Sequence, residues 1–206
     1  FTSLYPNAEF PTNGIFVETR LRQLRAHYPE VESLVVAPVP WFPSTDARFG
    51  RYARMAKVPH DEERGGVRIL HPRYALIPKI GMSVAPYLMA LGLAPVLWRL
   101  IKGDFNFDLI DAHYYYPDGV AAAMLGRKFG KPVVVTGRGT DIHSIPAHRI
   151  PRALLLNAAR DAAASITVAA ALKTEMVRLG AQANKIHVLR NGVDLEFFRS
   201  EEHTSE

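Results

Sequence analysis

The 206-residue chain contains no cysteine. Disulfides and thiolate metal sites are therefore excluded, and a reducing compartment fits. Zinc-finger spacing, an aromatic RNA-binding motif and a long basic run are all absent, so nucleic acid is not an expected partner. The dinucleotide fingerprint G-x-G-x-x-G does not follow the first strand, which argues against a nicotinamide dehydrogenase. No Tyr-x-x-x-Lys pair occurs either, which argues against a Rossmann-like epimerase. No secretory signal opens the chain, and no Met precedes Phe1. Phe1-Thr2-Ser3-Leu4 reads as the tail of a strand whose start is expected upstream.

What is present is apolar and basic. Apolar residues make up 48% of the chain, enough to bury a real core. Lys and Arg number 25 against 20 Asp and Glu, a net charge of +5 that suits an anionic ligand or membrane surface.

Strand and helix patterns alternate along the chain. After a loop from Tyr5 to Gly14, Val17, Leu21, Leu24 and Tyr28 share one helical face, which Thr12 or Asn13 can cap. Asn13 and Gly14 thus stand at a helix N-terminus, where an anion is favoured. Strands are expected over 33–37 and 67–70, with a charged loop over 44–66 whose Arg48, Arg51, Arg54 and Lys57 form a solvated face. Residues 80–98 carry no charge and fall just short of the roughly 20 apolar residues of a membrane span. Pro86, Gly92 and Pro95 interrupt them, so a helix packed on the sheet is expected, with one side available to a bilayer. A strand over 108–113 ends in His113, and Tyr114 to Gly119 turns into an alanine-rich helix.

The centre of the chain is Pro132 to His143. Its β-branched run Val133-Val134-Val135 breaks into a loop holding Gly137, Arg138, Gly139 and Asp141. Open α/β sheets build sites where a buried strand ends in such a loop. Arg138 supplies a fork of donors for phosphate or carboxylate, and Asp141 an acceptor for sugar hydroxyls or for a cation. His113 falls on the same sheet edge. Beyond the loop, Pro151 opens a helix, strands follow over 166–168 and 186–189, and Gly180 stops the helix between them. The order predicts a doubly wound, Rossmann-like parallel α/β sheet of about seven strands, with helices on both faces and right-handed crossovers. No cluster with metal-ligand spacing stands out.

Three segments together carry a resemblance: Asp111-Ala112-His113 with the Tyr-Pro-Asp-Gly after it, Thr136 to Asp141, and Val188 to Asp194. The chain resembles the N-terminal domain of a family 4 retaining glycosyltransferase of GT-B architecture. The resemblance implies two Rossmann-like domains around a cleft, with no resident cofactor and a nucleotide sugar as donor substrate. It implies that Asn13 and Gly14 approach the donor diphosphate. His113, Arg138 and Asp141 become candidate catalytic residues on the cleft wall, and Tyr114, Gly139 and Arg152 candidates for the acceptor. Asn191 and Gly192 lead into the linker. Arg138 stands where relatives often carry His, so a histidine role does not transfer.

On this reading residues 1–192 form the acceptor-side domain, and 193–206 are a truncated linker with a polar tail foreign to the family. The C-terminal donor domain becomes a missing partner, and the fragment is expected to be inactive alone. The full protein would be a hexosyltransferase-type enzyme acting on a cell-surface polysaccharide or glycolipid. It would be cytoplasmic, peripheral at the membrane face through 80–102. The alternative from another class is a non-catalytic module with the same sheet, which binds a glycan or an anionic lipid.

Overall fold

The computed structural model describes residues 1–77, 81–103 and 105–192. Lys79, Ile80 and the expected tail over 193–206 lie outside them.

The first helix, α1, runs Ile15–His27, followed by the short strands β1 (Val35–Val36) and β2 (Val39–Pro40). The segment expected as a solvated loop holds a helix, α2 (Arg51–Lys57), and an edge strand, β3 (Asp61–Arg64). β3 reads Asp-Glu-Glu-Arg and pairs antiparallel with β4 (Val67–Leu70). No apolar alternation marks it. Polar side-chain contacts flank it instead: an ion pair from Arg68 to Asp61 at 2.6 Å and a hydrogen bond between His71 and Glu62 at 2.8 Å. An edge strand of this kind is protected by its own charge.

β5 (Arg73–Tyr74) pairs with β2 and leads to α3 (Gly81–Lys102). Pro86 and Pro95 lie inside this helix and do not end it. Met89, Leu93 and Leu97 are buried on its inner face. The outer stripe is apolar too: Leu91 is 72% exposed, Trp98 54% and Tyr87 46%.

The second half is regular. β6 (Ile110–His113), β7 (Val133–Gly137), β8 (Ala164–Thr167) and β9 (Ile186–Val188) form a parallel sheet in that order. The connecting helices are α4 (Val120–Phe129), the short α5 (Thr140–His143), α6 (Arg149–Asp161) and α7 (Ala170–Leu179). The single sheet expected from the pattern is divided among the described residues into four-, three- and two-stranded ladders. The N-terminal segment joins the two larger ones. The Thr2 amide donates to the Val36 carbonyl at 3.1 Å, and the His113 amide donates to the Phe1 carbonyl at 3.0 Å.

Both faces carry helices, and strand alternation identifies which. α4 lies against Val133, so close that a Cβ on Gly126 would stand 2.2 Å from the valine side chain. α1 reaches the opposite face, where Arg20 bonds Thr136. The large core cluster lies on the α4 side and includes Met89, Leu125, Val135, Leu155 and Met176. The α1 side is less filled. A groove of about 950 Å³ separates α1 from the strands, lined by Val17, Leu21, Ile110, Val134 and Ile166 among others.

Candidate functional site

Parallel register brings the functional side chains together. His113 pairs with Thr136 at the carboxyl ends of β6 and β7, and Gly137 pairs with Thr167 of β8. Arg138 follows directly, so its side chain leaves the sheet beside His113. One guanidinium nitrogen lies 2.8 Å from His113 Nδ1, and the other donates to Asn191 Oδ1 at 2.9 Å. The guanidinium also covers the Phe16 ring in the first turn of α1, 4.6 Å from its centroid. Its Nε is buried and has no partner among the described residues.

Two further charges complete the cluster. Arg20 of α1 donates to Thr136 Oγ1 at 3.1 Å and stands 4.0 Å from Asp111. Asp111 Oδ2 lies 3.3 Å from His113 Nε2. The result is a chain from Arg20 through Asp111, His113 and Arg138 to Asn191. Burial holds the His113 pKa below its ordinary 6.5, and the Arg138 charge works the same way against the pull of Asp111. The imidazole is therefore neutral at physiological pH. Burial and the neighbouring Arg20 lower Arg138 to about 10, so it remains a cation. Burial disfavours the Asp111 carboxylate, but His113 and Arg20 outweigh it and hold Asp111 below the usual carboxylate value. Phe16 and Arg20 were not singled out from the sequence, and Asp111 entered only as part of the Asp111-Ala112-His113 segment, with no role of its own. The available signal for Arg20 was a charge three residues from Val17, on the inner face of α1.

Asp141 has another position than the cleft wall expected for it. It is fully buried. Its carboxylate accepts from the amides of Tyr115 at 2.7 Å, Gly139 at 2.7 Å and Arg138 at 3.0 Å. It shapes the loop that aims Arg138. Gly139 caps α5 with φ 145°. Tyr114 has φ 78° and ψ 117°, a backbone conformation that costs a side-chain-bearing residue about 1–3 kcal/mol. Such strain collects at functional sites.

Asn13 does not cap α1; its amide donates to the carbonyls of Ser3 and Tyr5. The N-cap is Gly14, at φ 67° and ψ 30°. A Cβ there would stand 2.2 Å from the Leu4 carbonyl oxygen, so internal packing alone already demands glycine. Arg152 donates to the Leu179 carbonyl at the end of α7, at 3.2 Å. No hydrogen bond joins it to the Arg138 cluster among the described residues. Asn191 belongs to the cluster through Arg138, whereas a Cβ on Gly192 would meet open space.

The family model for Glycosyltransferase Family 4 matches residues 17–197. The chain is 28% identical over 207 residues to TuaC of Bacillus subtilis (strain 168), described as a teichuronic acid biosynthesis glycosyltransferase. That match covers 100% of this chain and 52% of TuaC, so the chain spans about half the length of the curated relative. Among solved structures, Anabaena HepE in complex with UDP-glucose is similar, with a TM-score of 0.52 and 18% identity. The likeness covers 96% of this chain and 44% of HepE. A Listeria monocytogenes protein described as a UDP-N-acetylglucosamine 2-epimerase has a TM-score of 0.52 at 12% identity, over 90% of this chain and 43% of its own. The same frame thus serves proteins of different described activities, and these structural likenesses speak to fold alone.

Proposed function

The chain belongs to glycosyltransferase family 4, and we propose that it forms the acceptor-side half of a retaining, nucleotide-sugar-dependent transferase acting in cell-surface polysaccharide or glycolipid synthesis. The observation that carries this reading is the setting of Arg138. A half-buried cation whose Nε has no partner among the described residues faces the first turn of α1 and touches both His113 and the start of the linker. A fixed guanidinium at a sheet's carboxyl edge is suited to a diphosphate. Charge builds on that group as the glycosidic bond breaks, and preorganised donors stabilise it there. Neutral His113 adds no second charge beside the guanidinium, and Tyr114 borders the same edge. The nucleotide sugar enters as substrate, and no resident cofactor is proposed.

The outer stripe of α3 favours one further element of this reading. A helix that is apolar all round is normally buried on all sides. Here Tyr87, Leu91 and Trp98 stay exposed, with Arg99 and Lys102 at the helix end. We propose that this stripe rests on the cytoplasmic membrane surface, where a lipid-linked acceptor would lie.

The test is donor binding and transfer measured with two proteins, this chain and the full-length enzyme. The full-length enzyme is expected to release UDP or GDP from a nucleotide sugar when acceptor is supplied. The chain alone is expected to show neither turnover nor tight donor affinity. Micromolar binding by the chain alone, about −8 kcal/mol, would place the donor site in the wrong half. A full-length enzyme that turns over no nucleotide sugar removes the proposal.

A further inference from the structure

The distances around His113 define its tautomer. An arginine side chain only donates hydrogen bonds. With its guanidinium nitrogen 2.8 Å from Nδ1, that ring nitrogen must present a lone pair. A neutral imidazole carries one hydrogen, so it sits on Nε2. Nε2 stands 3.3 Å from Asp111 Oδ2. His113 is only 6% exposed, so bulk water is poorly placed to take over this contact. Were the proton on Nδ1, two donors would confront each other across the 2.8 Å contact to Arg138. Were both nitrogens protonated, a second cation would stand against the guanidinium.

We infer that Asp111 is a positioning residue: its carboxylate holds the Nε2 proton of His113, which turns the Nδ1 lone pair toward Arg138 and fixes the guanidinium against Asn191 and Phe16. Arg20 supports the arrangement from the other side. It stands 4.0 Å from the carboxylate and bonds Thr136 at 3.1 Å, so Asp111 lies between two partners. Asp111 itself touches no substrate in this role; it acts through His113 on Arg138. The activity part of the test rests on the transferase reading, whereas the spectroscopic part does not.

The experiment uses full-length protein labelled with ¹⁵N at histidine. Long-range proton–nitrogen correlation at neutral pH is expected to report His113 as a neutral ring, protonated at Nε2 alone. In Asp111→Ala the single tautomer is expected to give way to a mixture, with turnover lower by about 10-fold or more, the usual scale for losing a group that orients a functional one. Asp111→Asn keeps an acceptor oxygen and is expected to retain both the tautomer and most of the turnover. The double variant Asp111→Ala with Arg138→Ala is expected to lose no more than Arg138→Ala alone, because both act on one group. Protonation at Nδ1 in the wild type overturns the inference, and that spectrum decides it even where a variant fails to fold. Unchanged His113 signals in Asp111→Ala overturn it as well, as do losses that multiply in the double variant. If the full-length protein transfers no sugar, the transferase reading fails while the ring signals still decide the role of Asp111.

Discussion

The carboxylate of Asp118 accepts two hydrogen bonds from Ser3, from the amide at 2.6 Å and from the hydroxyl at 3.0 Å, with no part of Asp118 exposed. Burial raises its pKa to about 7, against the Ser3 bonds. The folded value lies above the unfolded one of about 3.9. Between these two values the folded chain holds a proton that the unfolded chain has lost. Stability from this group is therefore greatest below pH ~4 and falls as pH rises toward ~7. Denaturant unfolding of wild type and Asp118→Asn across this range is expected to give a difference that shifts steadily against the wild type as pH rises. A constant difference would contradict it.

Asp141 and Arg138 are expected to separate stability from turnover. Asp141→Ala leaves three loop amides without their acceptor, at a cost of about 2–4 kcal/mol. Arg138→Ala is expected to lower the melting temperature by only a few degrees, ~1 kcal/mol, while full-length turnover falls by about 100-fold or more. Thermal melts beside steady-state kinetics check both. An Asp141→Ala enzyme that melts normally but loses turnover would make Asp141 a chemical participant.

Tyr114 stores strain in its backbone, and glycine should release it. Tyr114→Gly is expected to be more stable than Tyr114→Ala by about 1 kcal/mol. That reverses the usual order, in which glycine costs unfolding entropy. Paired denaturation curves decide it, and an alanine variant at least as stable as glycine rules the strain out.

The α3 stripe predicts a preference among vesicles. Co-sedimentation is expected with anionic vesicles and not with neutral ones, because Arg99 and Lys102 each contribute about 1 kcal/mol near a charged surface. Leu91→Glu is expected to weaken binding while stability stays within about 0.5 kcal/mol, since Leu91 is 72% exposed. Equal binding to both vesicle types, or to neither, removes the membrane contact.

Much of the second half was legible. Val133 to Val135 announced β7, Gly180 the end of α7, and the positions of His113 and Arg138 at adjoining strand ends followed from alternation alone. The first half was harder because its signals are not apolar. β3 is an acidic strand stabilised by Arg68 and His71, and α2 buries only Ala53. Pro86 and Pro95 read as interruptions, but α3 is long and packed along its inner face, which offsets the lost helix bonds. At the site, residue type suggested that Asp141 faces a ligand. Its partners are backbone amides, which no side-chain pattern reveals. Arg20 and Asp111 met only through the fold, from positions far apart in the chain.

Phe1 and Thr2 lie between β1 and β6, joining the two larger ladders. The Phe1 nitrogen donates to the Asp111 carbonyl, 110 positions downstream. This gives the middle of the sheet a schedule. At about 5–20 residues per second, translation leaves that side of the N-terminal segment unpaired for on the order of 10 s. β1 and β4 lie nearer in sequence and can meet first, whereas β6 must emerge before the centre closes. Until β6 emerges the N-terminal segment thus keeps an open strand edge of the kind that recruits other chains, and β7, β8 and β9 are added to the sheet later still.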